Sequence, residues 1–269
     1  MFHLNQKIMK PVTLIIINTL SFIITLIINY LGGSGDVFGK SVGEISDVFT
    51  TMITPAGYAF SIWGLIYLGL IFYLIYQWVG FLKKQNKTSL LPSGIWFTIS
   101  NLSNALWIYV WTSEQILLSV VVISILLFSL IQLVLRLRLE TYDAPLKTIF
   151  FVWWPICIYT GWVILATVLT VSVGFKSTGI LTNVWSETAW ASLILIIGTL
   201  IYIFLTYKRN MREASLVGAW GITAIAVKQW NMNEELSILA VVLATILVIL
   251  AGVHGFMNRK TSIAARMAK

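Results

Sequence analysis

The sequence predicts an all-α fold, a polytopic bundle of membrane-spanning helices, and three observations support that prediction. Of the 269 residues, 58% are hydrophobic and 10% are charged, whereas soluble domains carry roughly 25% charged residues. Apolar runs recur along the whole chain, and most approach the roughly 20 residues that a helix needs to cross a bilayer. Basic residues collect in alternate connecting segments, which is typical of cytoplasmic loops.

Eight apolar runs are predicted to span the membrane. They cover residues 11–31, 56–80, 94–111, 116–135, 148–173, 188–207, 214–227 and 236–256. The seventh run is the weakest because it is short and continues into Lys228. Removing it would place the basic C-terminal tail on the outer side, against the charge bias of the other segments.

The charge bias also sets the orientation. With both termini in the cytoplasm, the outer segments contain three basic residues, Lys40, Lys176 and Lys228. We therefore expect a multi-pass integral membrane protein, in a bacterial plasma membrane, with the lipid bilayer as a partner. The same bias accounts for the net charge of +8, so no nucleic-acid partner is expected.

The longest outer connection is predicted over residues 32–55. It opens with the flexible stretch Gly-Gly-Ser-Gly and then carries apolar residues at helical spacing: Val42, Ile45, Val48, Phe49 and Met52. This spacing predicts a short amphipathic helix lying on the outer surface. Such a helix is either a lid over a site between the spans or an interfacial anchor.

Side chains for metal or hydrolytic chemistry are scarce in the spans. Cys157 is the single cysteine, and the two histidines, His3 and His254, lie near opposite ends of the chain. We therefore predict no disulfide within the chain and no thiolate or histidine metal site. The spans also show no acid–base pair and no nucleophile with its base.

The 12 tryptophans divide by their predicted depth. A belt at the two membrane surfaces explains those near helix ends: Trp78, Trp96, Trp111, Trp153, Trp154, Trp185, Trp190 and Trp230. Four are predicted to lie deeper: Trp63, Trp107, Trp162 and Trp220. Trp220 stands beside Gly218 and Gly221, a pattern that favours close packing of helices over a binding site.

The second span begins with an aromatic stripe. Pro55 suits a helix start because its missing N–H is not needed there. Phe60, Trp63 and Tyr67 then follow at intervals of three and four residues, so they share one helix face. Small residues stand between them. The stripe is either ordinary helix packing or one wall of a pocket for a flat ligand.

Two further spans carry related clusters. In the third span, Asn104 shares a face with Trp107, and an amide in hydrocarbon is costly unless it meets a partner. That partner is either a neighbouring helix or a ligand. The fifth span places an aromatic face next to a hydroxyl group: Tyr159, Trp162, Ala166 and Thr167.

These clusters resemble the motifs of the TspO/MBR family, the tryptophan-rich sensory proteins that include the mitochondrial translocator protein. The family signature P-P-x-W-x-F-x-x-x-W-x-x-x-Y corresponds in the second span to Pro55, Phe60, Trp63 and Tyr67, with Tyr58 where Trp is usual and with the interval from Phe60 to Trp63 one residue shorter. Its N-x-x-W motif is matched by Asn104 and Trp107. Its W-V-x-x-A-T motif is matched by Trp162, Val163, Ala166 and Thr167, with Thr170 where an Asn is frequent.

The resemblance implies a domain organisation. It covers about residues 1–175, which would form a TspO-like five-helix membrane core that includes the outer loop 32–55. Residues 176–269 would then add three C-terminal transmembrane helices and a basic tail. Family members are often dimeric, so the resemblance allows a homodimer.

The resemblance also implies a function. Members bind tetrapyrroles or, in animals, sterols, so we expect a small, flat hydrophobic ligand in an aromatic pocket near the outer side. A tetrapyrrole would be a ligand, and no cofactor is required. The implied ligand-binding residues are Tyr58, Phe60, Trp63, Tyr67, Asn104, Trp107, Tyr159, Trp162, Ala166 and Thr167.

Two other functions stay open. A small-solute membrane transporter fits many spans and intramembrane amides, but coupled transporters usually bury ionisable groups and show internal repeats. An enzymatic role is the other, since some bacterial members promote light-dependent porphyrin breakdown. Its candidate residues would be Tyr58, Trp63, Tyr67 and Trp107, and we predict no other catalytic group.

Overall fold

The computed structural model describes residues 9–258 except 36, 38 and 180–185. All regular structure among these residues is helical, which confirms the predicted fold class. The helices are α1 (Pro11–Ser34), α2 (Val42–Val48), α3 (Ile62–Leu82), α4 (Leu90–Ser93), α5 (Trp96–Thr112), α6 (Ile116–Arg136), α7 (Leu146–Thr148), α8 (Trp154–Thr178), α9 (Glu187–Arg209), α10 (Arg212–Gln229) and α11 (Glu234–Met257). A 3₁₀ turn, Gly57–Ser61, precedes α3, and a π turn, Ile149–Trp153, joins α7 to α8.

Six segments are long and apolar enough to cross a membrane: those built on α1, α3, α6, α8, α9 and α11. The predicted spans 94–111 and 214–227 do form helices, α5 and α10, but neither belongs to this set. α5 is 17 residues long and rich in amides and hydroxyls. α10 contains Arg212, Glu213 and Lys228 within its 18 residues. The count of eight spans therefore stays a prediction.

Five long helices form a ring in the order α1, α5, α6, α8 and α3. α1, α5, α6 and α8 pack extensively on their neighbours in this order, whereas α3 contacts α8 and α1 more lightly. α3 approaches α8 most closely where a Cβ atom at Gly69 would lie 3.3 Å from the Pro155 side chain. Pro155 is the second residue of α8 and follows the π turn, a position at the start of a helix where proline is tolerated.

The three C-terminal helices pack on this ring through α8. α10 contacts α8, α9 and α11, and small residues bring α8 and α10 close together. A Cβ atom at Gly161 of α8 would lie 2.8 Å from the backbone of Ala214 in α10. The Tyr202 hydroxyl of α9 donates to the Gly161 carbonyl at 2.7 Å. The predicted domain boundary, after residue 175, falls within the last turn of α8.

The connection between α1 and α3 forms the predicted short amphipathic helix, α2. Its N-terminus is a capping box, in which Ser41 and Glu44 each accept a hydrogen bond from the other's backbone N–H. Val42 and Ile45 are buried against the bundle. We call the end of the bundle that carries α2 the α2 end; the basic tail, predicted for the opposite end, lies outside the described residues.

Candidate functional site

A polar seam joins α1 to α5. On α1 it consists of residues three or four positions apart: Asn18, Ser21, Thr25 and Asn29. Nearest the α2 end, Asn29 Nδ2 donates to Asn104 Oδ1 at 2.6 Å. Thr25 Oγ1 donates to the Asn101 carbonyl at 2.8 Å. The Asn104 amide therefore contacts a neighbouring helix, which is one of the two partners predicted for it.

The seam continues to α3 at the opposite end of the bundle. Thr98 Oγ1 donates to Asn18 Oδ1 at 2.8 Å, and Asn18 Nδ2 donates to Gln77 Oε1 at 3.0 Å. Trp78 Nε1 also donates to Thr19 Oγ1 at 3.0 Å. These bonds hold α1 and α3 together there. Toward the α2 end, about 16 Å further along α1 at 1.5 Å per residue, the two helices are separated by a groove.

An aromatic cluster centred on Trp63 brings the second and fifth predicted spans together. The Trp63 ring stacks on Tyr67, with centroids 5.4 Å apart and planes 15° apart. It meets the edges of Trp162 at 6.1 Å and Tyr159 at 6.0 Å. Phe60 also contacts Trp162, at 6.0 Å. These contacts fix the orientation of Trp63, so one of its faces is presented to the space beside α3.

Trp107 lies on the other side of this cluster, next to a small cavity of about 30 Å³. That volume is sufficient for a molecule the size of water, which needs roughly 10–15 Å³ of such space. Trp162, Ala166 and Thr170 also line the cavity, and Trp111 closes it. Within the described part of the chain, the indole nitrogens of Trp107 and Trp162 have no hydrogen-bond partner. The cavity suits a single small polar molecule and excludes a tetrapyrrole.

A much larger groove of about 520 Å³ lies between α1, α3 and α5, beneath α2. Its volume is within the range of small-molecule sites, about 300–1,000 Å³. The lining residues are Leu26, Asn29, Tyr30, Gly33, Ser41, Val42, Gly43, Gly57, Phe60, Trp63, Gly64, Tyr67 and Ile108. Gly57 and Gly64 leave the groove open, because no described atom lies within 4 Å of where their Cβ atoms would be.

Polar groups border this groove on one side. Asn29 lines it and is bonded to Asn104. The Asn104 side chain faces the hydroxyl groups of Tyr67 and Tyr159. The Tyr67 hydroxyl and Asn104 Nδ2 are buried and make no hydrogen bond of normal geometry among the described residues. The groove therefore combines an aromatic wall with an edge that offers hydrogen bonds.

The predicted site residues separate into three sets. Phe60, Trp63 and Tyr67 line the groove. Trp107, Trp162 and Ala166 line the small cavity, as do Phe60 and Trp63. The others line neither space: Tyr58, Asn104, Tyr159 and Thr167.

Two of these remaining residues have clear structural contacts. Tyr58 is 42% exposed and packs against Trp220 of α10, with ring centroids 5.2 Å apart. The Thr167 hydroxyl donates to the Val163 carbonyl of its own helix at 2.7 Å. Thr170 lies on the cavity face of α8 instead.

Several lining residues were not predicted. Trp111 was assigned to the surface belt, but it is buried, stacks on Trp107 and donates from Nε1 to the Val42 carbonyl at 3.2 Å. Its position next to the predicted amphipathic segment was the available signal. Asn29 both lines the groove and bonds to the neighbouring helix α5. Trp185 lies outside the described residues.

The opposite end of the bundle contains a compact group of possible metal ligands. One ligand atom from each of Glu140, Cys157 and Glu213 lies within 4.8 Å of the others. Arg209 and Arg212 interact electrostatically with the same thiol group. Two guanidinium groups beside two carboxylates balance the local charge, which weakens the attraction for a divalent cation. The group is remote from the groove.

Comparison with known proteins gives one family. The chain matches the family described as TSPO-like protein over residues 15–253. The match runs through the three C-terminal helices, which the resemblance in the sequence motifs did not reach. No curated protein and no solved structure matches the chain.

Proposed function

Because the chain belongs to the TSPO-like protein family, we propose that this membrane protein binds a small, flat hydrophobic ligand between α1, α3 and α5. The observation that carries the proposal is the groove of about 520 Å³ with Trp63 and Tyr67 stacked in one wall. A tetrapyrrole is the first ligand class to test, and a sterol-like molecule is the second.

The chemistry of the walls supports this ligand class. Two stacked, nearly parallel rings, Trp63 and Tyr67, offer aromatic surface in one wall of the groove against which a flat ring system can pack. Leu26 and Ile108 add aliphatic surface. Asn29 supplies a polar contact for a carboxylate or hydroxyl substituent. Aliphatic and aromatic surface therefore supplies most of the affinity, and the polar edge orients the ligand.

The proposed orientation places the α2 end, with the groove, at the outer side of a bacterial plasma membrane and both termini in the cytoplasm. The three cations predicted outside each contact a carboxylate at this end: Lys40 contacts Glu114 at 2.9 Å, Lys176 contacts Glu187 at 3.5 Å and Lys228 contacts Asp47 at 2.9 Å. These pairs leave little net positive charge there, as the positive-inside rule requires.

A titration with protoporphyrin tests the proposed site. The two tryptophans Trp63 and Trp107 serve as a matched pair, because only Trp63 lines the groove. Trp63→Leu removes a stacking surface and is expected to weaken binding about tenfold. Trp107→Leu is expected to change the affinity much less. Porphyrin fluorescence anisotropy in detergent measures both, and equal effects of the two substitutions would contradict the assignment.

Transport of a small solute is the second candidate, and the polar seam favours it. Hydrogen-bonded side chains run from Asn29, at the groove, to Gln77 and Ser93 near the opposite end. The described bundle shows few buried ionisable groups along this route. Counterflow of labelled solute in proteoliposomes tests this function, and its absence would leave ligand binding as the sole proposal.

A further inference from the structure

We infer that α10, from the C-terminal three-helix unit, positions the roof and one wall of the groove. We call residues 39–56, which carry α2, the strap. The inference rests on the proposed function, because it assigns a role to α10 in ligand binding at that groove. It also gives the three C-terminal helices a role that the five-helix ring alone does not explain.

Partly buried hydrogen bonds attach the C-terminal half of the strap to α10. Gln229, which is 2% exposed, donates from Nε2 to the Met52 carbonyl at 2.8 Å. The backbone N–H of Ala56 donates to the Ala224 carbonyl at 2.9 Å. An irregular segment must satisfy its backbone groups when it is shielded from water, and α10 supplies those partners.

The same helix holds the start of the aromatic wall. Trp220 Nε1 donates to the Ala59 carbonyl at 3.2 Å, within the 3₁₀ turn that precedes α3. The Trp220 ring also packs against Tyr58. Phe60 and Trp63 follow directly and line the groove. A shift of α10 would therefore move the turn and the wall together.

Exposed ion pairs hold α2 on both sides. Lys228 of α10 contacts Asp47 at 2.9 Å, and Lys40 contacts Glu114, in the turn between α5 and α6, at the same distance. All four side chains are at least 31% exposed. Exposed ion pairs contribute little individually and are weakened by salt. Salt therefore weakens the ion pairs, whereas the neutral hydrogen bonds at Met52 and Ala56 are much less sensitive to it.

These two kinds of contact define a hinged roof. α10 is itself fixed to α8 at Gly161 and Ala214, so its anchors on the strap do not move independently of the ring. α2, which places Ser41 and Val42 over the groove, is held by these ion pairs together with the hydrogen bond from Trp111 to the Val42 carbonyl and the buried Ile45. Release of the ion pairs would loosen α2 while the Met52–Ala59 region stays on α10.

Labelling of a new cysteine tests the hinge without a ligand. Val42→Cys places a thiol on the buried face of α2, and the native Cys157 is 0% exposed, so its background labelling should be low. Adding Lys228→Met is expected to raise the maleimide labelling rate about two- to fivefold. Adding Gln229→Leu leaves the Met52 carbonyl without this partner and is expected to raise the rate about tenfold.

Control variants distinguish loss of the contacts between α10 and the strap from a general loss of stability. Lys208→Met makes the same substitution at the opposite end of the bundle and should leave the labelling rate unchanged. The double exchange of Asp47→Lys with Lys228→Asp should restore the wild-type rate at low salt. Unchanged labelling in both Lys228→Met and Gln229→Leu would overturn the inference, as would an equal increase in Lys208→Met.

Protoporphyrin affinity provides the second readout. If the wild-type protein binds protoporphyrin, Gln229→Leu is expected to raise Kd about tenfold, and Lys228→Met is expected to raise the dissociation rate more at low than at high salt. If the wild-type protein does not bind protoporphyrin, the proposed ligand fails. The labelling result then still decides whether α10 holds the strap. Unchanged Kd in Gln229→Leu, with wild-type binding intact, would overturn the role of α10 in positioning the site.

Discussion

Two groups of glycines in this protein have opposite surroundings. Gly57 and Gly64, beside the groove, have no described atom within 4 Å of their would-be Cβ positions. At the contact of α10 with α8 and α9, a Cβ atom at Gly161 would lie 2.8 Å from Ala214, one at Gly218 would lie 2.5 Å from Tyr202, and one at Gly221 would overlap Leu165.

The difference shows two uses of one residue type. Around α10, absent side chains let helices approach until their backbones nearly touch, which is how membrane helices gain packing energy. Beside α3, absent side chains leave a space that the protein does not fill. Close packing in the first region and an open groove in the second support a fixed α10 next to a wall built for another molecule.

The largest expected effect is at the closely packed glycine. Gly161→Leu forces a side chain against the backbone of Ala214, which cannot rotate away. Overpacking of this kind typically costs about 1–3 kcal/mol and occasionally more. We expect a clear fall in the thermal unfolding temperature in detergent, together with poor monodispersity. An unfolding temperature like that of the wild type would show that α8 and α10 are not held at this distance.

The polar seam should respond less strongly. Asn104→Leu removes the acceptor of the 2.6 Å hydrogen bond from Asn29. Hydrogen bonds between membrane helices average about 0.6 kcal/mol, with a maximum near 1.7 kcal/mol. A double-mutant cycle with Asn29→Leu should give a coupling energy in that range. Additive effects of the two substitutions would mean that this contact does not join α1 to α5.

At Gly64, beside the groove, a smaller substitution is expected to raise the stability of the protein instead of lowering it. Gly64→Ala adds a methyl group where the described structure leaves room, and alanine favours the helix by about 0.5–1 kcal/mol over glycine. We expect a slight rise in unfolding temperature, whereas Gly161→Ala should lower it. Equal changes in the unfolding temperature of Gly64→Ala and Gly161→Ala would show that the two groups of glycines do not differ in packing.

The smallest effect concerns pH at the cap of α2. The backbone N–H of Ser41 donates to the Glu44 carboxylate, and this bond lowers the pKa of Glu44 below its usual 4.5. A lowered folded-state pKa means that the stabilisation is complete above the unfolded value and is lost as pH falls through the folded value. Labelling of Val42→Cys, corrected for reagent reactivity, should rise slightly in that acidic range. Glu44→Gln should remove the dependence on pH.

The sequence predicted which segments form helices better than it predicted which helices pack against each other. Apolar length predicted eight spans, six of which are built on helices long and apolar enough to cross a membrane, and spacing identified the buried face of α2 through Val42 and Ile45. Periodicity says which residues share a face but not which helix that face meets. The resemblance to the family motifs placed Tyr58 and Thr167 with Trp63 among the ligand-binding residues, whereas Tyr58 contacts α10 and the Thr167 hydroxyl bonds to its own helix.

The site could be predicted only in part, because periodicity does not reveal which helix a given face meets. Phe60, Trp63 and Tyr67 line the groove, which agrees with one of the two interpretations of their stripe. The α1 wall, with Asn29 and Gly33, depends on how α1 and α3 diverge, and that divergence follows from contacts far apart in the sequence such as Asn18 with Gln77. Trp111 was misassigned because depth along a helix does not reveal that α2 covers its end.

The most direct test of the groove compares one substitution at two open glycines. Gly64→Leu places a side chain in the groove, whereas Gly252→Leu places the same side chain in open space on α11, away from the groove. In a protoporphyrin titration, we predict that Gly64→Leu abolishes binding or raises Kd at least about tenfold, the effect of losing one aromatic stacking surface. Gly252→Leu should match the wild type. Equal affinity of the two variants would contradict ligand binding in this groove.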